Sequence, residues 1–155
     1  MSMTGIKKAE AKDAKELDRL ISAEFPYKQL SREKIEERMK RPEIVVFKKI
    51  AGKEMAGFVE IEIMEQAAMI NAISVKSKFR KRGFGKELLE HSVGTLMESG
   101  VETARLLVKA ENGMAKKLYK KCGFEFMGLH ARKIEGSDVE VWEKRLAGDE
   151  SGYLN

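Results

Sequence analysis

The 155-residue chain has one cysteine, two prolines, two histidines and one tryptophan. A single cysteine rules out an internal disulfide and a multi-cysteine zinc site, so no metal is expected. No apolar run approaches the roughly 18 residues of a membrane span. The charged, interrupted N-terminus is unlike a signal peptide. The expectation is a cytoplasmic protein that engages no membrane. Asn and Gln are scarce too, three and two, beside abundant Lys and Glu. That bias accompanies ion-pair networks and few labile amides in proteins from hot environments.

Hydrophobic residues make up 43% and charged residues 35%, as in a globular chain. No repeat or Pro/Gly-rich linker divides it, so one domain over residues 1–147 is expected, with 148–155 as a flexible tail. The net charge of +5 favours an anionic ligand. Phosphorylated cofactor, nucleic acid and acidic protein all satisfy it.

Periodicity predicts a mixed α/β order. A short strand at Gly5–Ala9 precedes a helix whose Ala14, Leu17, Leu20, Ile21 and Phe25 share one face, and Pro26 ends it. A second helix starts at Ser31 as N-cap and stops before Pro42. Three strand-like segments follow, "EIVVFKKI", "MAGFVEIEIME" and "AAMINAISVK", the last read as Met69–Val75. In the second, Phe58, Glu60 and Glu62 face one way and Val59, Ile61 and Ile63 the other. A long amphipathic helix closes at Gly100. "ARLLVKA" reads as a strand buried on both faces. A short helix ending at Gly123 and a hairpin around "EGSD" complete the pattern.

The most charged stretch is "KSKFRKRGFGK", six Lys or Arg and two Gly in eleven positions between a strand and a helix. Backbone N–H groups at a helix start attract phosphate, and glycine lets a ligand approach the main chain. Arg80 and Arg82 add charge. A Walker loop would need four residues between its glycines and a Ser or Thr where Glu87 stands. A dinucleotide fingerprint would need Gly at Leu88. Taken alone, the stretch fits both an anion cradle and a solvated basic turn.

Two motifs together resemble the GNAT acyltransferase superfamily. Val75, Phe79, Arg80, Gly83 and Gly85 match V-x-x-x-[FY]-[RQ]-x-x-G-x-G, with Ser77 where a proline is common. Asn112, Ala115, Leu118, Tyr119, Gly123 and Phe124 match N-x-x-A-x-x-L-Y-x-x-x-G-F. The resemblance implies a single-domain fold with a mixed, mostly antiparallel sheet of about seven strands flanked by four helices. It also implies a splay between the strand ending at Val75 and the strand Arg105–Lys109. Acetyl-CoA is the implied co-substrate. Its pyrophosphate would sit on Arg80, Lys81, Arg82, Gly83, Phe84, Gly85 and Lys86, its pantetheine on the main chain of Ile73 and Val75. Asn112 would bind the arm or cap its helix, and Tyr119 would protonate the leaving thiolate. Cys122 matches no nucleophile pattern.

The places where relatives carry a base correspond to Met69 and Leu107, and neither accepts a proton. Glu60, Glu62 and Asn71 offer an alternative by holding a water, although a solvated strand face is the simpler reading of the two glutamates. At pH 7 an α-amine with pKa near 8 is roughly 10% neutral, and lysine is below ~0.1% neutral. Without a base, lysine costs about 3 kcal/mol more, which favours an α-amine acceptor. Phe25, Pro26 and Tyr27 resemble the peptide entrance of N-terminal acetyltransferases, including the ribosomal-protein alanine type. The Tyr-Tyr pair usual on their closing hairpin is replaced by His130 and Ala131. The acceptor is thus expected to be a protein or peptide N-terminus. Lysines, polyamines, small-metabolite amines or a weakly catalytic acetyl-CoA-binding module are the alternatives. No nucleic-acid partner is expected, and a monomer or homodimer is.

Overall fold

The computed structural model describes residues 5–26 and 31–146. Seven strands form one sheet: β1 (Ile6–Lys8), β2 (Ile44–Ala51), β3 (Glu54–Met64), β4 (Ala67–Val75), β5 (Thr103–Lys109), β6 (Glu125–Leu129) and β7 (Val139–Arg145). The helices are α1 (Ala14–Glu24), α2 (Arg32–Met39), α3 (Phe84–Glu98) and α4 (Gly113–Lys121). Sheet order is β1-β2-β3-β4-β5-β7-β6. All neighbours are antiparallel except β4 and β5.

The alternation of β3 separates two cores. Val59 and Ile61 pack with Leu88, Leu89 and Leu96 of α3 on one face. Phe58 packs with Leu17, Leu20 and Ile21 of α1 and Ile35 of α2 on the other. Glu60 and Glu62 share the α1/α2 face, which periodicity alone left open. Ser31 caps α2 as expected, its side chain accepting from the Lys34 N–H at 3.3 Å.

Two sequence expectations need correction. Strand β4 begins at Ala67 rather than Met69, because Ala67 and Ala68 already pair with Met64 and Ile63. Strand β5 is buried on one face only: Ala104, Leu106 and Val108 are buried, whereas Arg105 and Leu107 are exposed. The core of α1 and α2 takes residues from β2, β3 and Ala72 of β4 but none from β5. An apolar run therefore marks a half-covered strand beside a cleft. The expected tail at 148–155, like Tyr27, lies outside the described residues.

The splay is visible in the pairing. Between β4 and β5 the ladder runs only from Ala67↔Thr103 to Ile70↔Leu106. Strand β4 continues to Val75 and β5 to Lys109, so their remaining halves separate. A bulge marks the same place: Glu60 pairs with Ala72 and Ile61 with Ile70, leaving Asn71 as the extra residue on β4.

Candidate active site

The basic stretch folds as a short 3-10 turn at Ser77–Phe79, a bend, and the start of α3. Gly83 is the residue before α3, with φ +82°, a left-handed conformation that glycine takes without penalty. No side chain caps this helix. The first bond of the turn runs from the Glu87 N–H to the Gly83 carbonyl at 3.0 Å. The N–H groups of Phe84, Gly85 and Lys86 thus precede the first intrahelical donor and have no acceptor within the helix. A Cβ at Gly83 would meet nothing within 4 Å, and one at Gly85 only Leu118 at 3.5 Å and Val75 at 3.9 Å. Open space therefore faces three N–H donors, and a phosphate fits there.

The cations divide into two groups. Lys76 is bound by Glu16 at 2.7 Å and Glu54 at 3.3 Å, and Lys78 by Glu54 at 2.8 Å. Lys81, Arg82 and Lys86 are exposed and pair with no carboxylate among the described residues. Arg82 lies 5.4 Å from the Phe79 ring. Arg80, although exposed, is held at the surface: its Nε donates to the Val75 carbonyl at 3.1 Å, and its guanidinium pairs with Glu24 of α1. It bridges loop, strand and helix, whereas Lys81 and Arg82 have no carboxylate partner among the described residues.

Main-chain direction on β4 follows from its hydrogen bonds. The Lys76 N–H donates to Ala56 at 2.8 Å, so by strand alternation Ser74 also turns its polar groups toward β3. Ile73 and Val75 turn theirs into the splay, as the Arg80 bond to Val75 requires.

The splay holds a cavity of about 300 Å³ bordered by Ile73, Leu107, Asn112, Ala115 and Tyr119. Asn112 caps α4, its Oδ1 accepting from the Ala115 N–H at 3.1 Å. Tyr119 is 7% exposed and packs near Phe124, ring centroids 6.3 Å apart. Burial pushes its pKa up to about 12, so the phenol keeps its proton across the physiological range. Burial also raises the Cys122 thiol, with the Glu90 carboxylate adding to the effect, which disfavours a thiolate nucleophile.

A second cavity, about 490 Å³, opens on the α1/α2 face and is bordered by Ile21, Arg38, Phe58, Glu60 and Glu62. Phe25, Asn71, Ala72, Leu107 and Ile134 border both cavities. The splay therefore connects a side near Tyr119 to a side near the two glutamates. Arg38 binds both Glu60 oxygens through one guanidinium edge, Nη2 to Oε2 at 2.6 Å and Nε to Oε1 at 3.3 Å. The Asn71 Nδ2 donates to Glu60 at 2.8 Å and to Glu62 at 3.0 Å. The Glu60 hydrogen bond raises the Arg38 pKa against the opposing cost of burial.

Of the expected acceptor-side residues, Phe25, Glu60 and Asn71 meet here. Pro26 is exposed at the end of α1. His130 borders neither cavity. Its Nδ1 instead accepts from the Arg132 N–H at 3.1 Å, so the ring folds back on its own turn. Sequence reasoning missed Arg38. Its signal was available, since Arg38 lies three residues after the buried Ile35 and so on the inward side of α2. Ile134 carried no comparable signal, because a loop residue has no periodicity to read.

A family model described as an acetyltransferase (GNAT) domain matches residues 7–139. The chain belongs to the GNAT acetyltransferase family. The chain is 38% identical over 74 residues to a ribosomal protein bS18 alanine N-acetyltransferase from Salmonella typhimurium. That match covers 48% of this chain and 50% of the relative, so the chain spans about half the length of that curated relative. The crystal structure of the ribosomal-protein-S18-alanine N-acetyltransferase from Escherichia coli superposes with TM-score 0.80. It is 22% identical, with 91% of this chain and 92% of that one covered. The PaiA N-acetyltransferase of Thermoplasma acidophilum, solved in complex with coenzyme A, gives 0.76 at 22% identity, covering 90% and 97%. The likeness to these structures is one of fold. Among the described residues no helix is long and apolar enough to cross a membrane.

Proposed function

We propose that this chain transfers an acetyl group from acetyl-CoA directly to the α-amine of a protein or peptide N-terminus. The observation that carries the reading is the splay, which joins a donor-side cavity at Tyr119 to an acceptor-side cavity at Glu60 and Glu62. Acetyl-CoA, when bound, supplies an acyl carbon activated by a thioester. The N–H groups of Phe84, Gly85 and Lys86, with Lys81 and Arg82, hold the pyrophosphate. The outward main chain of Ile73 and Val75 pairs with the pantetheine arm. Arg80 exchanges its bond to the Val75 carbonyl for that ligand. Tyr119 holds a proton for the departing sulfur, and Leu107 and Phe25 keep the junction apolar. Asn112, already a cap, keeps its amide nitrogen for the arm.

The α-amine is favoured because, of the candidate amines, it has the lowest pKa and so asks least of any base near pH 7. The bS18 relative, named for an alanine N-terminus, supports the same class. A polyamine acceptor is the second reading, favoured by the two carboxylates on the acceptor side. An acceptor panel separates them: acetyl-CoA with an alanine-terminated peptide, the same peptide α-acetylated but carrying lysine, and spermidine. We expect CoA release with the first, and fragmentation spectra placing the acetyl on the α-amine. Release only with spermidine or the blocked lysine peptide would overturn this acceptor.

A further inference from the structure

We infer that Glu62 is the proton acceptor for the incoming amine, and that Arg38 is a positioning residue that leaves Glu62 as the available carboxylate by neutralising Glu60. The inference rests on reading the splay as the reaction cleft, and it supplies the base missing from Met69 and Leu107.

Register places the carboxylate beside the vacant position. Glu62 on β3 pairs directly with Met69 on β4, and Met69 with Arg105 on β5. Cross-strand partners share a face, their Cβ atoms roughly 5 Å apart. The strand position that relatives fill with a base thus carries a thioether here, and a carboxylate stands on the next strand.

Charge then distinguishes the two glutamates. Glu60 has both oxygens engaged by Arg38 and a further bond from Asn71. Glu62 receives only the Asn71 bond, on Oε1, among the described residues. Arg38 also attracts Glu62 through space but hydrogen-bonds only Glu60, and the other described groups near this row are engaged or apolar. Arg105 is bound by Glu143 at 2.6 Å, Glu24 is bound by Arg80, and Ile21 and Phe25 of α1 are apolar. Among the described residues bordering the cavity, two carboxylates face one guanidinium, an excess of one negative charge. An ammonium is attracted there, and Glu62 has an oxygen free to take its proton. Asn71 fixes both carboxylates because the bulge makes it the extra residue on β4.

The step balances. An N–H proton of the ammonium passes to the Glu62 carboxylate, directly or through one water. The nitrogen lone pair forms a C–N bond at the acetyl carbon. The C–S bond breaks with its electron pair on sulfur, which takes the Tyr119 proton.

The test is the pH dependence of kcat/KM from pH 6 to 9 with an alanine-terminated peptide, with a CoA titration on every variant. Without its base the enzyme must wait for amine that is already neutral. That fraction is roughly 1% at pH 6, 10% at pH 7 and 90% at pH 9 for a pKa near 8. Glu62→Gln is therefore expected to lose about a hundredfold at pH 6, about tenfold at pH 7 and almost nothing at pH 9. CoA affinity stays unchanged. Arg38→Met leaves two like charges on one amide, so the acid limb moves to higher pH; Arg38→Lys restores part of it. A Glu62→Gln profile that parallels the wild type across this range overturns the assignment and leaves the cleft reading standing. A wild type that binds no CoA overturns both.

Discussion

Replacing Tyr119 by phenylalanine is expected to lower kcat by about a hundredfold while leaving CoA affinity and folding intact. The ring is what the core uses: it is 7% exposed and packs near Phe124. Phenylalanine keeps that packing and removes only the hydroxyl. The expected loss lies at the low end for general acids because a thiolate, with a pKa near 8.5, is a fair leaving group unaided. The pH profile gives a second check. With a pKa of about 12, the phenol stays protonated through pH 10, so Tyr119 contributes no alkaline limb below that. Initial rates and a CoA titration on both proteins test this. Equal kcat in the variant would remove Tyr119 from the chemistry.

Gly85→Ala is expected to separate stability from cofactor binding. Gly85 lies inside the first turn of α3, and its Cβ would make ordinary contacts at 3.5 and 3.9 Å. Alanine in a helix interior gains about 0.5–1 kcal/mol over glycine, so thermal stability should rise slightly. The added methyl nevertheless stands where a phosphate would approach the main chain. Losing one or two bonds to a charged group costs about 1.5–3 kcal/mol, a weakening of CoA binding of roughly 10- to 100-fold. Calorimetric melting and isothermal titration read the two effects separately. Unchanged affinity would show that no ligand approaches this turn.

The contrast between these residues explains what the sequence could disclose. Gly83, Gly85 and Tyr119 sit in motifs because the proposed phosphate turn and proton donor would each demand fixed spacing along the chain. The splay was accessible only through resemblance, since unpairing of β4 and β5 leaves no trace in composition. Strand β5 shows why: Leu107 looks like core by hydropathy, yet it is exposed at a cleft that only the placement of α1 and α2 creates. The Glu60–Arg38–Asn71–Glu62 cluster joins residues 9 to 22 positions apart whenever a hydrogen bond links them. Alternation put the two glutamates on one face, but which of them keeps a free oxygen depends on a helix and a bulge. His130 is singled out only because it stands where relatives carry the first Tyr of a pair, and its local bond from the Arg132 N–H is a contact that no spacing discloses.

Amide hydrogen exchange with and without CoA tests the central claim most directly, because the reading assigns the donor to particular N–H groups. Slower exchange is predicted at Ile73 and Val75 in the splay and at Phe84, Gly85 and Lys86 in the first turn of α3, with β1 and β6 unchanged. CoA binding that leaves those five amides unprotected, or protects a different surface instead, would contradict it.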